Sequence, residues 1–351
     1  SSYAGHHSPA VIMHLSDFDF PFDPALIAVE PVAPRDRARL LTLRRVTQQL
    51  SHRHVADLPY LLKQGDLLVV NDTKVLAARV SGVKQSTGKP VEVLFVRELS
   101  ANRWEIMVKG SFRVGQVIEL DRQSFATIVK RDATGTEVDV ECPMSVGAFL
   151  AERGSMPLPP YIKRAPVQED HQWYQTMFAK HGGAIAAPTA GLHFTQDLFQ
   201  RIKDLGINVA TVTLHVGPGT FKPVTTEQIE DHQMGGERFT ISEEAVKAIR
   251  TTKEAGGQVV AVGTTVVRTL ETVMKEKGEM TPMSGESRLF ITPGFQFKVV
   301  DALMTNFHLP KTTLLMLVSA FAGIEPIRKA YEEAVKERYR FYSYGDAMLI
   351  V

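Results

Sequence analysis

Cysteine is nearly absent from this chain. Among 351 residues there is one, Cys142, which excludes an internal disulfide and a zinc site built on thiolates and points to a reducing compartment. Charge of either sign is not in excess. Forty basic residues stand against 39 acidic ones, for a formal net charge of +1. Whole-chain charge therefore gives no sign of a nucleic-acid surface, and any basic patch has to be local. Long apolar runs are missing too. The longest, Leu314 to Ala322, falls short of the roughly 18–20 residues that span a bilayer and reads as a buried helix. Residues 1–12, SSYAGHHSPAVI, lack the basic start and apolar core of a signal peptide. They read as an appended remnant ahead of Met13, and His6 and His7 are left out of any metal argument.

What is present is an ordinary globular balance: 44% hydrophobic and 23% charged residues, with length enough for more than one core. From Leu67 to Glu141 the pattern is strand-rich. LLVV, VLAARVSGV, PVEVLFVREL, RWEIMV, QVIEL, FATIVKR and TEVDVE follow one another between Gly, Asn or Asp turns. Seven such runs predict a small antiparallel barrel or sandwich. After GSMPLPPYIKR, a Pro-rich connector, helices and strands alternate. Thr195 caps a helix that Gly206 stops, and Ile207–Val216 is a strand. Ser242 opens a helix that ends at Gly256. A strand at Gln258–Val262, a helix at Thr265–Lys277, a strand at Lys298–Thr305, helices over 312–322 and 326–338, and a last strand at Ala347–Val351 complete the pattern. The expectation is an α/β fold: a main domain of residues 13–66 and 152–351, carrying residues 67–151 as an inserted small antiparallel β-barrel. The 13–65 segment has a helix-prone centre.

Polar residues gather at the predicted strand ends. APTAGLHFT (187–195) places Thr189, Gly191 and His193 before a helix start, where free N–H groups can hold an anion. A turn whose histidine caps the helix is an equal reading. TLHVGPGTFKP (213–223) leaves a strand through His215, Gly217, Gly219 and Thr220. It lacks the third glycine of a dinucleotide loop, so a close backbone approach to a ligand and a plain strand-exit turn both fit. Gly82 to Lys89 is no phosphate loop either. Thr264 and Thr265 follow the 258–262 strand, and Asn306 and His308 follow the next. In an open α/β sheet these ends share one edge, where ligands bind. Arg268 and Glu271 suit a structural pair on one helix face. The arginine run APRDRARLLTLRR (33–45) reads first as a solvated helix face. KERYRFYSYGD (336–346) reads first as aromatic packing at a helix end, although basic groups and aromatics also suit RNA. No metal-ligand spacing is present, and no metal is expected.

Taken together, FDFPFDPALIAVEPVAPRDRARLL (18–41), GDLLVVNDTKVLAARV (65–80), PLPPYIKR (157–164), AAPTAGLHFT, TLHVGPGTFKPV, AVGTTVVRTLE, DALMTNFHLPKTTLLMLVSAFAG (301–323) and YRFYSYGDAMLI (339–350) resemble one family. It is the S-adenosylmethionine:tRNA ribosyltransferase-isomerases of queuosine biosynthesis, and the resemblance runs from Met13 to Val351. It implies transfer and isomerisation of the ribosyl part of S-adenosylmethionine onto 7-aminomethyl-7-deazaguanine at the wobble position of tRNA. Epoxyqueuosine-tRNA is the product, and adenine and methionine are released. S-adenosylmethionine is then a consumed co-substrate and no cofactor is needed. A cytoplasmic monomer with no membrane partner is expected.

Such chemistry needs proton transfers, and His193, His215 and His308 are the candidate catalytic residues, in that order. Thr189, Gly191, Gly217, Gly219, Thr220, Thr264, Thr265 and Asn306 would hold substrate. Arg35, Arg37, Arg338 and Arg340 would meet tRNA phosphates. The family commonly has His at the position of Gly235, which leaves His232 and Glu237 in that stretch, and Phe at the position of Tyr342. An S-adenosylmethionine-dependent RNA methyltransferase and a non-catalytic RNA-binding protein are the rival readings.

Overall fold

The computed structural model describes residues 13–215, 224–229, 232 and 234–351. The first strands, β1 (Arg39–Leu43) and β2 (Leu50–His54), form a hairpin. A single helical turn, α1 (Leu58–Leu61), leads into β3 (Leu67–Asn71) and β4 (Thr73–Val75). Next come β5 (Arg79–Lys84), β6 (Pro90–Glu98), β7 (Arg103–Val108), β8 (Val117–Asp121), β9 (Ser124–Asp132) and β10 (Gly135–Glu141), closed by α2 (Val146–Arg153). The chain continues through α3 (Asp170–Trp173), β11 (His181–Ala184), α4 (Gln196–Asp204), β12 (Asn208–Leu214), β13 (Glu237–Ile241) and α5 (Glu243–Glu254). It ends with β14 (Val259–Val262), α6 (Thr264–Lys277), β15 (Met283–Ser287), β16 (Ala302–Asn306), α7 (Thr313–Ala322), α8 (Ile324–Lys336) and β17 (Ala347–Ile350). No helix among the described residues is long and apolar enough to cross a membrane.

Nine strands make one sheet in the order β15-β13-β12-β3-β14-β16-β17-β1-β2. Its centre, β12, β3, β14 and β16, is parallel. Every residue of β3, β14, β16 and β17 is buried, as expected where helices cover both faces. Side chains alternate between two cores. Leu67, Val69, Val259 and Ala261 face α5, α6, α7 and α8, whereas Leu68, Val70, Val260 and Val262 face α1 and α4. Local signals set the helix ends. The Thr195 and Ser242 hydroxyls accept N–H bonds from Leu198 and Ala245, both at 3.1 Å. Gly206 and Gly256 end their helices in the left-handed region, at φ 76° and 77°.

The second unit is a closed barrel in the order β10-β7-β6-β5-β8-β9, with its own apolar core. The architecture is thus the expected α/β sheet with a small antiparallel barrel. Two elements sit elsewhere than the sequence reading put them. Residues 67–70, read as the first insert strand, lie in the main sheet, with Leu67 registered against both Asn208 and Val259. Their unbroken apolar run reflects burial on two faces, not one. The helix-prone 33–45 run is a short 3-10 turn followed by β1, which pairs parallel to β17 and antiparallel to β2. Leu40 enters one core, and Leu41 and Leu43 the other. Pairing on both edges overrides the helix preference of Arg and Leu.

The barrel's entry and exit are stitched together. Arg79 and Ser155 exchange both backbone bonds, at 3.2 and 2.9 Å. Beside them, a Cβ on Gly154 would lie 1.7 Å from the Ala77 carbonyl oxygen. Glycine is required there by close approach, since no side chain fits. Gly154→Ala should therefore lower the denaturation midpoint, by about 1–3 kcal/mol in stability. Gly147→Ala, inside α2 with nothing within 4 Å of the added carbon, should leave the midpoint unchanged or raised. Equal midpoints for the two variants would refute the close-packing account.

Candidate active site at the carboxyl edge of the parallel strands

Because β12, β3, β14 and β16 are parallel, their carboxyl ends share one edge. The end of β16 is the organising point. The Asn306 amide nitrogen donates to the carbonyls of Tyr342 and Ser343, at 2.9 and 3.2 Å. Its oxygen must then face the other way, where His193 Nε2 lies 2.7 Å off. An amide oxygen only accepts, so His193 carries its proton on Nε2 and its lone pair on Nδ1. Beside it, His308 Nε2 is 2.7 Å from Thr305 Oγ1, and the His308 N–H donates to the Tyr331 hydroxyl. Tyr342 is held at φ 79°, a costly conformation for a bulky residue. Its N–H donates to the Phe307 carbonyl at 3.1 Å.

These contacts wall a cavity of about 40 Å³, whose lining includes Thr189, Thr264, Thr265, Asn306, His308 and Ser343. Five of the predicted residues thus meet at one place. Gly191 and His193 are buried and do not line it. His193 reaches the cavity only through Asn306. Its neighbours Leu192 and Phe194 line a second space, a cleft of about 730 Å³ that also includes Arg35, Trp173 and Gln175. Ser343 was not singled out by the sequence. Its hydroxyl is buried with no hydrogen-bond partner among the described residues, and only its fold neighbours reveal it.

His215 belongs to a different cluster on the same edge. Its Nδ1 is 2.9 Å from Thr73 Oγ1, and its ring packs so closely on Gly183 that a Cβ there would lie 2.9 Å from it. Asp72, just past β3, accepts from the Thr213 hydroxyl at 2.6 Å and lies 3.8 Å from His181. Burial, and then Arg238, lowers the His215 pKa, while Asp72 opposes them. β12 and β16 are three strand spacings apart, roughly 14 Å, so His215 faces a different part of the edge. Gly217, Gly219 and Thr220 lie outside the described residues. No group of three or more His, Cys, Asp or Glu side chains among the described residues is placed to hold a metal ion.

A family model described as "Queuosine biosynthesis protein" matches residues 15–350. The S-adenosylmethionine:tRNA ribosyltransferase-isomerase of Desulforamulus reducens is 48% identical over 97% of this chain and 100% of its own. The chain belongs to this family. The enzyme of the same name from Stenotrophomonas maltophilia is 46% identical, over 96% of this chain and 98% of its own. The crystal structure of S-adenosylmethionine tRNA ribosyltransferase from Thermotoga maritima is 37% identical and superposes with a TM-score of 0.56, covering 95% of this chain and 100% of that one.

Other positions of the family pattern can now be placed. The turns bearing the four arginines enter β1 and β17 at the active edge, since Ala347 is registered against both Leu40 and Asn306. Asp346 pins that corner, accepting the N–H groups of Arg39 and Arg340 at 2.8 and 2.7 Å. Arg35 donates to the Trp173 carbonyl at 2.9 Å, and burial pulls its pKa down to about 10 against the opposing pull of Tyr344. Arg340 donates to the Glu30 carbonyl, and Arg338 pairs with Asp23 at 3.3 Å. Arg37 is exposed, with no side-chain partner among the described residues. Tyr339, Phe341, Tyr342 and Tyr344 are all buried, so the aromatics of 336–346 pack internally, as their pattern first suggested.

Arg268 and Glu271 are structural, but not with each other. Arg268 pairs with the buried Glu237, and Glu271 accepts the N–H groups of Lys298, Val299 and Val300. At Gly235 an added Cβ would meet nothing within 4 Å, and His232 stands edge-on to Phe290 at 5.3 Å.

Burial pushes the His193 pKa down to about 4, opposed by Asn306 and reinforced by Arg35, and the His308 pKa to about 3. Both imidazoles are neutral in the folded protein near neutral pH. The unfolded chain protonates each as pH falls through about 6.5, whereas the folded chain does not until the lower values. Stability should therefore be insensitive to these groups above pH 7. It should fall from about pH 6.5 downward, by about 1.4 kcal/mol per pH unit for each histidine. His193→Gln should reduce the slope measured by denaturant titration between pH 6.5 and 5. An unaltered slope would contradict this account.

Proposed function

We propose that this chain transfers the ribosyl part of S-adenosylmethionine to 7-aminomethyl-7-deazaguanine at the wobble position of tRNA and isomerises it. The product is epoxyqueuosine-tRNA, and adenine and methionine leave. The observation that carries the site assignment is the meeting of the β14 and β16 ends on one cavity bearing Thr264, Thr265, Asn306 and His308. A sulfonium acidifies its neighbouring carbon, so the first step asks for a proton acceptor beside it. His308 is the histidine on the cavity wall, and its burial keeps it neutral, with a lone pair to offer. It takes precedence over His193, which acts as a positioning residue by fixing Asn306.

Adenine leaves more readily once protonated, and the aminomethyl group attacks once deprotonated. These steps are proton transfers and call for neither metal nor redox cofactor, with S-adenosylmethionine consumed as co-substrate. The larger cleft beside Arg35 and Trp173 gives room for the tRNA nucleoside, within the range of ordinary ligand sites. The arginines at the edge steer the phosphates, since a guanidinium with one donor engaged keeps others to offer. The enzyme acts in the cytoplasm as a monomer.

Incubation with S-adenosylmethionine and tRNA carrying the aminomethyl base should release adenine and methionine in step with modified tRNA. Formation of S-adenosylhomocysteine without adenine would overturn the reading. His308→Gln should slow single-turnover adenine release by about 10²–10⁴-fold, and a near-wild-type rate would remove His308 from the chemistry. Arg37→Ala should weaken tRNA binding and reduce its log–log salt slope by about one. An unaltered slope would mean that Arg37 meets no phosphate.

A further inference from the structure

The small cavity has a polarity that the ribosyl-transfer reading leaves unused. It opens at the start of α6, a helix of 14 residues whose N-cap is Gly263, with no side chain capping it. The N–H groups of Thr264, Thr265 and Val266 have no acceptor among the described residues. Free donors at a helix start, together with the helix dipole, form a place for negative charge. A second and independent observation points the same way. Ser343, 2% exposed and in the wall of this cavity, carries a buried hydroxyl with no hydrogen-bond partner among the described residues. Buried hydroxyls are nearly always satisfied, so an orphan on a cavity wall is a donor awaiting an acceptor. The lining contains no Asp or Glu to repel an anion and no Lys or Arg to replace one.

Size selects the anion. About 40 Å³ holds roughly three water-sized centres, at 10–15 Å³ each. That is room for a carboxylate and not for an adenosyl group, nor for a phosphate that brings an RNA strand with it. We propose that this cavity takes the α-carboxylate of the methionyl moiety of S-adenosylmethionine, held by the α6 N–H groups, the Thr264 and Thr265 hydroxyls and Ser343. The proposal rests on S-adenosylmethionine being the substrate. It gives the cavity a mechanical purpose. Three carbons separate the carboxylate carbon from the sulfur, so clamping the carboxylate keeps the sulfonium close to the cavity whose wall includes His308. The clamp also keeps its grip on the methionine that is later expelled.

Decarboxylated S-adenosylmethionine, with the same sulfonium and adenosyl groups, is the probe. Wild-type enzyme and loaded tRNA should release adenine from S-adenosylmethionine with kcat/KM at least about tenfold above that for the decarboxylated compound. Ser343→Ala should lower the value for S-adenosylmethionine by about tenfold and leave that for the probe unchanged, so that the preference shrinks. Thr264→Val, which keeps side-chain shape, should do the same and serves if Ser343→Ala does not fold. Free methionine should compete with S-adenosylmethionine, and inorganic phosphate should not.

Equal use of both compounds by wild type, equal loss on both in the variants, or competition by phosphate instead of methionine would each overturn the proposal. In all of those cases adenine release still stands. Absence of adenine from either compound in wild type would instead sink the underlying reading, and the proposal with it.

Discussion

The saturated amide of Asn306 is the constraint on which the active edge depends. Both of its hydrogens go to carbonyls of the 342–343 turn and its oxygen goes to His193. One side chain at the end of β16 therefore fixes three segments: its own strand, the 3-10 turn at Thr189–His193 and the link into β17. Each donor and acceptor has one orientation that satisfies all three, so the amide cannot flip without leaving buried groups unpaired. The same lock sets the His193 tautomer, and it helps to hold Tyr342 at a backbone conformation that it would not adopt alone. Three of the chain segments in the cavity wall are thus tied together by one residue.

That tie is inherited from the sheet. Burial of β3, β14 and β16 on both faces leaves their carboxyl ends as the place where backbone polar groups are released from the ladder and need other partners. At β16 the Asn306 amide answers the Tyr342 and Ser343 carbonyls, and at β3 the Asn71 amide donates to the Leu214 carbonyl and accepts the N–H groups of Thr73 and Leu214. A further network braces the outer side. Asp170, fully buried, accepts both Arg164 nitrogens at 2.8 and 2.9 Å, the Val167 N–H at 2.7 Å and the Tyr344 hydroxyl at 2.8 Å. Its pKa is lowered although burial, the largest influence, raises it, because these donors together outweigh that influence. The Pro-rich connector after the barrel is in this way tied to the same 342–346 turn that Asn306 holds.

What the sequence made legible was local. Thr195 and Ser242 read as helix caps because the cap and the bonded N–H are three residues apart. Polar residues at Thr264, Asn306 and His308 read as strand-end groups because each follows its strand directly. What was hidden is long-range. The place of β3 depends on β12 and β14, far along the chain, and an apolar run of four carries no mark of which sheet it will join. The arginine run around β1 looked helical because its pairing with β17 spans the whole chain. The sequence put His193 ahead of His308, both being histidines near turns. Only the fold turns one toward Asn306 and leaves the other on the cavity wall. Ser343 had no signal at all, since an unpartnered hydroxyl is a property of its surroundings.

On the proposed function, the neutral character of the cavity wall suits the charges of the reaction. S-adenosylmethionine brings a sulfonium, an ammonium and a carboxylate, and the tRNA base brings an aminomethyl group that must shed its proton. A fixed carboxylate beside the sulfonium would stabilise the ground state, whose positive charge is lost as the reaction proceeds, and would raise the barrier. A fixed arginine would repel the substrate. Neutral imidazoles, threonine hydroxyls and helix N–H groups avoid both costs, and burial of His193 and His308 keeps them uncharged. Positive charge stands beside the wall and not in it: Arg35 donates to the Trp173 carbonyl and its charge helps to keep His193 neutral, whereas Arg37 is exposed. A near-zero net charge leaves room for a local basic edge, and on the proposed function the arginines of the turns entering β1 and β17 would face the tRNA there.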